Sequence, residues 1–446
     1  MSDYMFMLES HLSPEQFQAV RAVAAAAEVT GLPAFLTGGA MRDMLGGYPV
    51  RDIDFTAEGN VQKLVKHLTQ KSGCKQIGAD DARKSVELRF PSGVTAEVSQ
   101  AHTSKYARPG AKPEAKASTI HDDLCGRDFT INSIALSLNK GSMGLLIDPT
   151  NGLGDLQTRE LRANGNYALY DDPSRILRMF RLRARLGFEL AERTRTQYEN
   201  VREAKLEQKI PSRALLEELR RLADEPNPEA VLETLDKEGL LVLFLPTLTG
   251  SKLDLSGFSK LQKARQLVPY GAGFRSENFG LLLYLLTAKL SPKEKAQLIK
   301  HVGLNKGDVN AWQKLEARAK KLETRIKSPK LKKASMIYKL LKESPGEETL
   351  FLMVRSSQRL VHDRIRNYLQ KYLPMAEEVT EKDLGETTLV TGSPKFKAAL
   401  EALIVAKLDG RVRKPAPEPP PPPAPAAPPP RGPVPPRSSI VIAARR

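Results

Sequence analysis

The sequence predicts an α/β head followed by an all-α remainder and a proline-rich end, and three observations carry that reading. Short strand-like runs are confined to about the first 150 residues. From about residue 155 onward, helical patterns follow one another and the strand signal fades. Residues 411–446 then hold 14 of the 32 prolines and almost no large apolar side chain before Ile440. Such a stretch samples polyproline II and builds no core. The expected units are a head over 1–150, a helical neck over 151–225, a helical body and tail over 226–410, and a disordered end over 411–446.

Taken in order, residues 1–30 read as a helix. Ser13 with Gln16 forms a capping box, and Pro14 suits the first helical position. Strand-like runs follow at Ala34–Thr37, Arg51–Phe55, Lys84–Phe90 and Val94–Ser99, with a helical pattern at Val61–Thr69. Pro91-Ser92-Gly93 reads as a hairpin turn. Residues 101–121 are polar, basic and poor in large aliphatics, the texture of a mobile loop. Helical patterns then run over Pro173–Leu186, Ser212–Ala223, Pro228–Lys237, Phe279–Ala288, Pro292–His301, Ala334–Leu341 and Leu360–Tyr372.

The 446 residues are 41% hydrophobic and 27% charged, the balance of a globular protein. No run of about 18 apolar residues exists, which argues against a transmembrane helix and a membrane partner. Asp3, Glu9 and Glu15 argue against a secretory leader. Two cysteines support neither a disulfide framework nor a zinc site, so a cytoplasmic location is expected. The formal net charge is +17, and 411–446 carries seven bases against one acid, leaving +11 on the remainder. A chain this basic suits a polyanion, with nucleic acid first.

The densest chemical signal is Leu36–Phe55, LTGGAMRDMLGGYPVRDIDF. Gly38-Gly39 follow a strand and open a short helix, so backbone N–H groups can approach a phosphate closely. Arg42 lies one turn into that helix, within reach of a triphosphate. Asp52-Ile53-Asp54 comes thirteen residues after Gly39. On a strand, positions two apart share a face, so Asp52 and Asp54 point together while Ile53 and Phe55 face the core. Paired carboxylates repel unless a cation sits between them, and hard oxygen ligands favour Mg²⁺. Glu87 and Glu97 on the later hairpin are both candidates for a third carboxylate, and alternation does not choose between them.

Three more segments stand out: Gly126–Ala135 (GRDFTINSIA), Asp148–Leu156 (DPTNGLGDL) and Asp171–Phe188 (DDPSRILRMFRLRARLGF). In the last, Asp171 or Asp172 caps a helix with Pro173 in its first turn. Ile176, Leu177, Phe180 and Ala184 form its apolar stripe. Asp172, Arg175 and Arg178 recur every three residues on another face.

These segments resemble four ordered motifs of the class II tRNA nucleotidyltransferase and bacterial poly(A) polymerase family, over roughly residues 33–223. GGAMRD with RDIDF resembles the catalytic motif, and the other three segments resemble the second, third and fourth. The resemblance implies a nucleotidyltransferase head with a mixed five-stranded sheet, followed by helical neck, body and tail. It implies metal ligands at Asp52 and Asp54, with Glu97 as the third catalytic carboxylate and Mg²⁺ as cofactor. It implies triphosphate contacts at Gly39, Arg42 and Arg127 beside Gly38, and base reading by Asp172 and Arg175, with Arg178 in the same nucleotide site. Ile210-Pro211-Ser212-Arg213 with Glu217-Glu218-Leu219 resembles a later family motif. Two departures are visible: Gly126 stands before Arg127-Asp128 where the family usually has Arg, and Asp171-Asp172 replaces the frequent Glu-Asp.

The implied activity is Mg²⁺-dependent addition of CCA, or part of it, to the 3′ end of tRNA from CTP and ATP. Adenylate addition to other RNA 3′ ends is the rival. The 101–121 loop favours competence for the final A, because family members restricted to CC addition resemble versions with that loop shortened. The basic C-terminal extension leans towards poly(A) addition. A silent RNA-binding protein is disfavoured by intact Asp52, Asp54 and Glu97.

Overall fold

The computed structural model describes residues 3–80, 84–269, 273–384 and 393–411. All but the first residue of the expected disordered end therefore lies outside the described residues. The N-terminus is two helices rather than one, α1 (Asp3–His11) and α2 (Pro14–Thr30). The break is at Leu12-Ser13, where Ser13 caps α2. Its hydroxyl accepts from the Gln16 N–H at 3.2 Å, and Gln16 Oε1 accepts from the Ser13 N–H at 3.0 Å. The capping box thus marks a helix start inside an otherwise helical stretch.

The head sheet is built from β1 (Ala34–Thr37), β2 (Ile53–Ala57), β3 (Lys75–Asp80), β4 (Ser85–Arg89), β5 (Thr95–Gln100), β8 (Ala135–Ser137) and β9 (Leu146–Ile147). Their order is β3-β4-β5-β2-β1-β8-β9. Only β2–β5 pairs in parallel; the other neighbours are antiparallel. The sheet is mixed, as expected, but has seven strands rather than five. β3 and β9 are its edges, and β3 is largely exposed. An edge strand with little buried face shows no hydrophobic alternation, so KQIGAD carries no strand signal.

Alternation divides the sheet into two faces. Leu36, Ile53, Phe55, Ala96 and Val98 are buried on one, packed with Leu64, Val65 and Leu68 of α4 (Val61–Lys71) and Val20 and Val23 of α2. Thr37, Asp54, Thr56 and Glu97 occupy the other. The Pro91–Gly93 turn between β4 and β5 is present, with Gly93 at φ +89°. Residues 101–121 are not a featureless loop. Strands β6 (His102–Lys105) and β7 (Glu114–Ala117) pair antiparallel, and α5 (Ile120–Gly126) follows. The His102 N–H donates to Asp123 at 3.1 Å, and the Gly110 N–H donates to the Asp171 carbonyl at 3.1 Å. Tertiary hydrogen bonds at base and tip order a ribbon that hydropathy leaves unmarked.

After the head come α6 (Gly152–Thr158), α7 (Ala168–Asp171), α8 (Arg175–Leu186), α9 (Glu192–Glu203), α10 (Ser212–Ala223) and α11 (Pro228–Lys237). A two-residue parallel pair, β10 (Glu160–Leu161) with β11 (Glu189–Leu190), is the one strand feature there among the described residues. α8 starts at Arg175, two residues later than expected. Among the described residues, ten further α-helices follow up to Leu408, including α13 (Asn278–Leu286), α14 (Pro292–Val302), α16 (Leu315–Ile326) and α18 (Gly346–Arg355). In α13, Leu281, Leu282, Leu283, Leu285 and Leu286 are all buried, so this helix lies at the centre of the body. α9 escapes the sequence pattern because Thr194 and Gln197 share its buried face with Tyr198 and Val201. No described helix is long and apolar enough to cross a membrane.

Candidate active site

β1 delivers the chain to Gly38, whose φ of +71° and ψ of −131° suit glycine alone. Helix α3 (Gly39–Leu45) starts at once. A Cβ on Gly38 would lie 3.4 Å from Arg127 Nη1 and 3.8 Å from Asp54 Oδ2. The turn therefore borders both a guanidinium and a carboxylate.

Asp54 on β2 and Glu97 on β5 are direct Cα partners across the parallel pair. Two opposed residues share a face, so register places these side chains next to each other. Glu87 faces Glu97 from the far side, one strand further from Asp54. Register thus supplies the choice that alternation leaves open. Asp52 is exposed and precedes β2, which starts at Ile53, so it is not on the strand as expected. Burial, then Glu97, then Asp52 push the Asp54 carboxyl up to about 7; Arg127 and Arg221 oppose them. Among the described residues, no three acidic, histidine or cysteine side chains converge as a ready ligand cluster.

Arg127 leaves the end of α5 and lies over the polar face. It donates to Asp123 at 2.9 Å, to Thr56 Oγ1 at 3.0 Å and to the Asn132 carbonyl at 3.4 Å. Arg42 does not extend freely. It is 6% exposed, and its guanidinium donates to Asp43 at 2.9 Å and Asn132 Oδ1 at 2.8 Å. Burial lowers its pKa, with Asp43 opposing. Its Nη2 lies 3.5 Å from where a Cβ on Gly39 would stand, so it flanks the Gly-Gly turn.

On the neck, Asp172 Oδ1 accepts from the Ser174 N–H at 3.1 Å and the Ser174 hydroxyl at 2.5 Å. Arg175 Nε lies 3.9 Å from Asp172, and its other nitrogens donate to the Gly126 and Arg127 carbonyls at 3.3 and 3.4 Å. The structure therefore brings Asp172 and Arg175 together, beside Arg127. Arg178 sits apart from them in an ion-pair network. It binds Asp128 at 2.6 Å and Glu218 at 3.3 Å; Arg181 joins Glu218 at 2.9 Å and Glu225 at 2.7 Å. Burial disfavours the Asp128 carboxylate, but Arg178 and Arg175 outweigh it and hold the group below the usual range.

The DPTNGLGDL segment braces the site from behind. Asp148 accepts from the Gly152 and Leu153 N–H groups at 2.7 and 2.9 Å, starting α6. A Cβ on Gly152 would lie 2.1 Å from the Thr130 carbonyl, so only glycine lets α6 pack there. Asp155 accepts from Thr130 Oγ1 at 2.6 Å. These bonds hold the 3₁₀ turn Thr130–Asn132 in place. Sequence reasoning did not single out Asn132, Asp123 or Thr56, although the first lies inside GRDFTINSIA.

The polar face of the mixed sheet thus carries two adjacent carboxylates beside a strand–Gly-Gly–helix turn. Residues 34–162 match the model of the poly A polymerase head domain. The chain is 26% identical to the A-adding tRNA nucleotidyltransferase of Geobacter sulfurreducens, over 92% of this chain and 47% of that protein. It is 35% identical to the CC-adding tRNA nucleotidyltransferase of Deinococcus radiodurans, over 46% of this chain and 53% of that one. The chain thus spans about half the length of the curated relatives it matches. Among solved structures, an apo form of a CCA-adding enzyme aligns with a TM-score of 0.55 at 24% identity, over 93% of this chain and 96% of that one, a likeness of fold.

Proposed function

We propose that this chain adds nucleotides to the 3′ end of tRNA without a nucleic-acid template, supplying CCA or part of it from CTP and ATP. The observation that carries the reading is the Asp54–Glu97 pair on the polar face, beside the Gly38-Gly39 turn and Arg127. The relatives are tRNA nucleotidyltransferases by name, which supports tRNA over other RNA 3′ ends.

Asp54 and Glu97, which the register places together, suit a divalent cation, with Mg²⁺ the match for all-oxygen donors; Asp52, exposed just before β2, is the further ligand we propose, although the three do not converge as a preformed cluster. The raised Asp54 pKa fits this: burial and then the charges of Glu97 and Asp52 disfavour its carboxylate, and a bound cation would offset both. A Mg²⁺ held by these carboxylates would supply charge neutralisation for the triphosphate and would lower the pKa of the terminal 3′-hydroxyl. The hydroxyl attacks the α-phosphorus in line, the new phosphodiester forms, and pyrophosphate leaves. Gly38 and Gly39 let the backbone approach the phosphates, while Arg42 and Arg127 offset their charge. Asp172 accepts from a base amino group and Arg175 donates to its acceptors, completing a Watson–Crick edge. Arg178, bound to Asp128 and Glu218, keeps α8 in place, and the nucleotide contact we propose for it would use the 26% of its side chain that is exposed. Exposed Lys320, Lys321, Arg325, Lys327, Lys330 and Lys332 on and after α16 suit RNA phosphates.

The test is incubation with tRNA lacking its terminal CCA, with CTP and ATP supplied separately and together. Incorporation restricted to the tRNA 3′ end is expected. Long adenylate tracts on unrelated RNA would instead favour a poly(A) polymerase.

A further inference from the structure

We propose that Asn132 is a positioning residue that fixes the two head arginines, Arg42 and Arg127, in one register relative to neck helix α8. The inference rests on the functional reading above, in which those arginines meet the triphosphate. Among the described residues, Asn132 is the one that both side chains bond. Arg42 Nη1 donates to its Oδ1 at 2.8 Å, and Arg127 Nη1 donates to its backbone carbonyl at 3.4 Å. Its Nδ2 in turn donates to Asp128 Oδ1 at 3.0 Å. The amide orientation follows from chemistry: a guanidinium has no acceptor and an ionised carboxylate has no donor, so only this orientation satisfies both neighbours.

Asp128 carries the connection to the neck through Arg178 at 2.6 Å. A second clasp joins the head to the same helix, because Asp43, which holds Arg42 at 2.9 Å, also binds Arg185 at 2.7 Å. Arg178 and Arg185 are two turns apart on α8, about 10 Å along its axis. The chain Arg185–Asp43–Arg42–Asn132–Asp128–Arg178 therefore closes a ring in which Asn132 is the only uncharged member. Every other link is an ion pair between exchangeable partners. The amide alone requires a donor and an acceptor at once, and without it the two clasps are no longer coupled. The charged groups around it are Arg42 and Asp43 from α3, Arg127 and Asp128 from the second motif, and Arg175 and Arg178 from α8.

The test compares Asn132→Ala and Asn132→Asp with wild type in the full chain. It uses ATP and CTP separately on a tRNA primer lacking its 3′ terminus, with calorimetric ATP binding in parallel. Asn132→Ala is expected to raise KM for ATP and CTP by the same factor, about tenfold for a lost charge-assisted bond, with kcat little changed. The factor is equal because the triphosphate is common to both. Asn132→Asp keeps the size and the acceptor but sets a carboxylate against Asp128. Its deficit relative to wild type should shrink as pH falls, because a proton shared by the two carboxyls restores a donor. A merely structural role predicts a lower melting temperature, unchanged KM and ATP affinity, and no pH-dependent recovery; that result would overturn the proposal. If wild type incorporates neither nucleotide, the functional reading fails instead, and ATP affinity of the two variants still decides the positioning role.

Discussion

Asp54 and Glu97 stand side by side as direct partners of the only parallel strand pair in the head sheet. Their separation of 43 positions in the sequence vanishes in the register. Burial first and then the Glu97 charge raise the Asp54 pKa.

Asp54→Asn should abolish nucleotide incorporation while RNA binding persists, because the RNA contacts proposed for Lys320–Lys332 do not involve Asp54. The same change should stabilise the metal-free protein by about 2 kcal/mol at pH 8, by removing a half-buried, repelled carboxylate. The Asp54 pKa rises on folding, from 3.8 to about 7. Its ionisation therefore opposes folding increasingly as pH climbs through that window. The gain of Asp54→Asn over wild type should grow between those pH values and level off above them. Thermal melts across pH without metal read this directly. A tenth of wild-type turnover retained with Mg²⁺ would contradict the metal role.

Mg²⁺ and protons should compete at the carboxylates. Mg²⁺ affinity is expected to tighten as pH rises towards 7 and to flatten beyond it, because the cation binds the ionised form. Titration of Mg²⁺-induced stabilisation at several pH values checks this, and a pH-independent affinity would place the cation elsewhere.

Gly38→Ala should cost about 1–3 kcal/mol of stability from its positive φ alone. The added methyl would press towards Arg127 and Asp54. Loss of incorporation exceeding the loss of folded protein is the expected result, from circular dichroism and activity on the same samples.

Arg175→Ala should damage base selection more than triphosphate binding. Asp172 would be left with only amino groups to recognise, and cytosine and adenine both present one. Discrimination among the four nucleoside triphosphates should relax by about 1–3 kcal/mol, as for a bidentate base contact. The measurement is kcat/KM for each nucleotide on one primer; an equal fall for all four would make Arg175 a phosphate-binding or structural residue.

Asp128→Asn should destabilise the protein by about 3–5 kcal/mol at neutral pH, because it leaves Arg178 short of a buried partner. The Asp128 pKa is depressed on folding, so its contribution is present above about pH 4 and fades as pH falls below that. The gap between variant and wild type should therefore narrow in acid, as denaturant midpoints at pH 7 and pH 3 would show.

The sequence by itself determined the α/β head, the helical remainder, the Gly38-Gly39 turn and the identity of the chemical groups. These are local properties: alternation in Ile53–Ala57, the Ser13–Gln16 capping box, and the helical periods of 212–223 and 228–237 leave their marks along the chain. Only the tertiary structure decided which of Glu87 and Glu97 stands beside Asp54, because strand neighbours are not written in strand alternation. It likewise decided that Arg42 is clasped by Asp43 and Asn132, that Arg178 is bound to Asp128 and Glu218, and that residues 102–117 form a ribbon reaching towards the neck. Hydropathy along one segment records which side is buried. It does not record the partner across a sheet or between domains, and ion pairs and amide bridges are made with that partner.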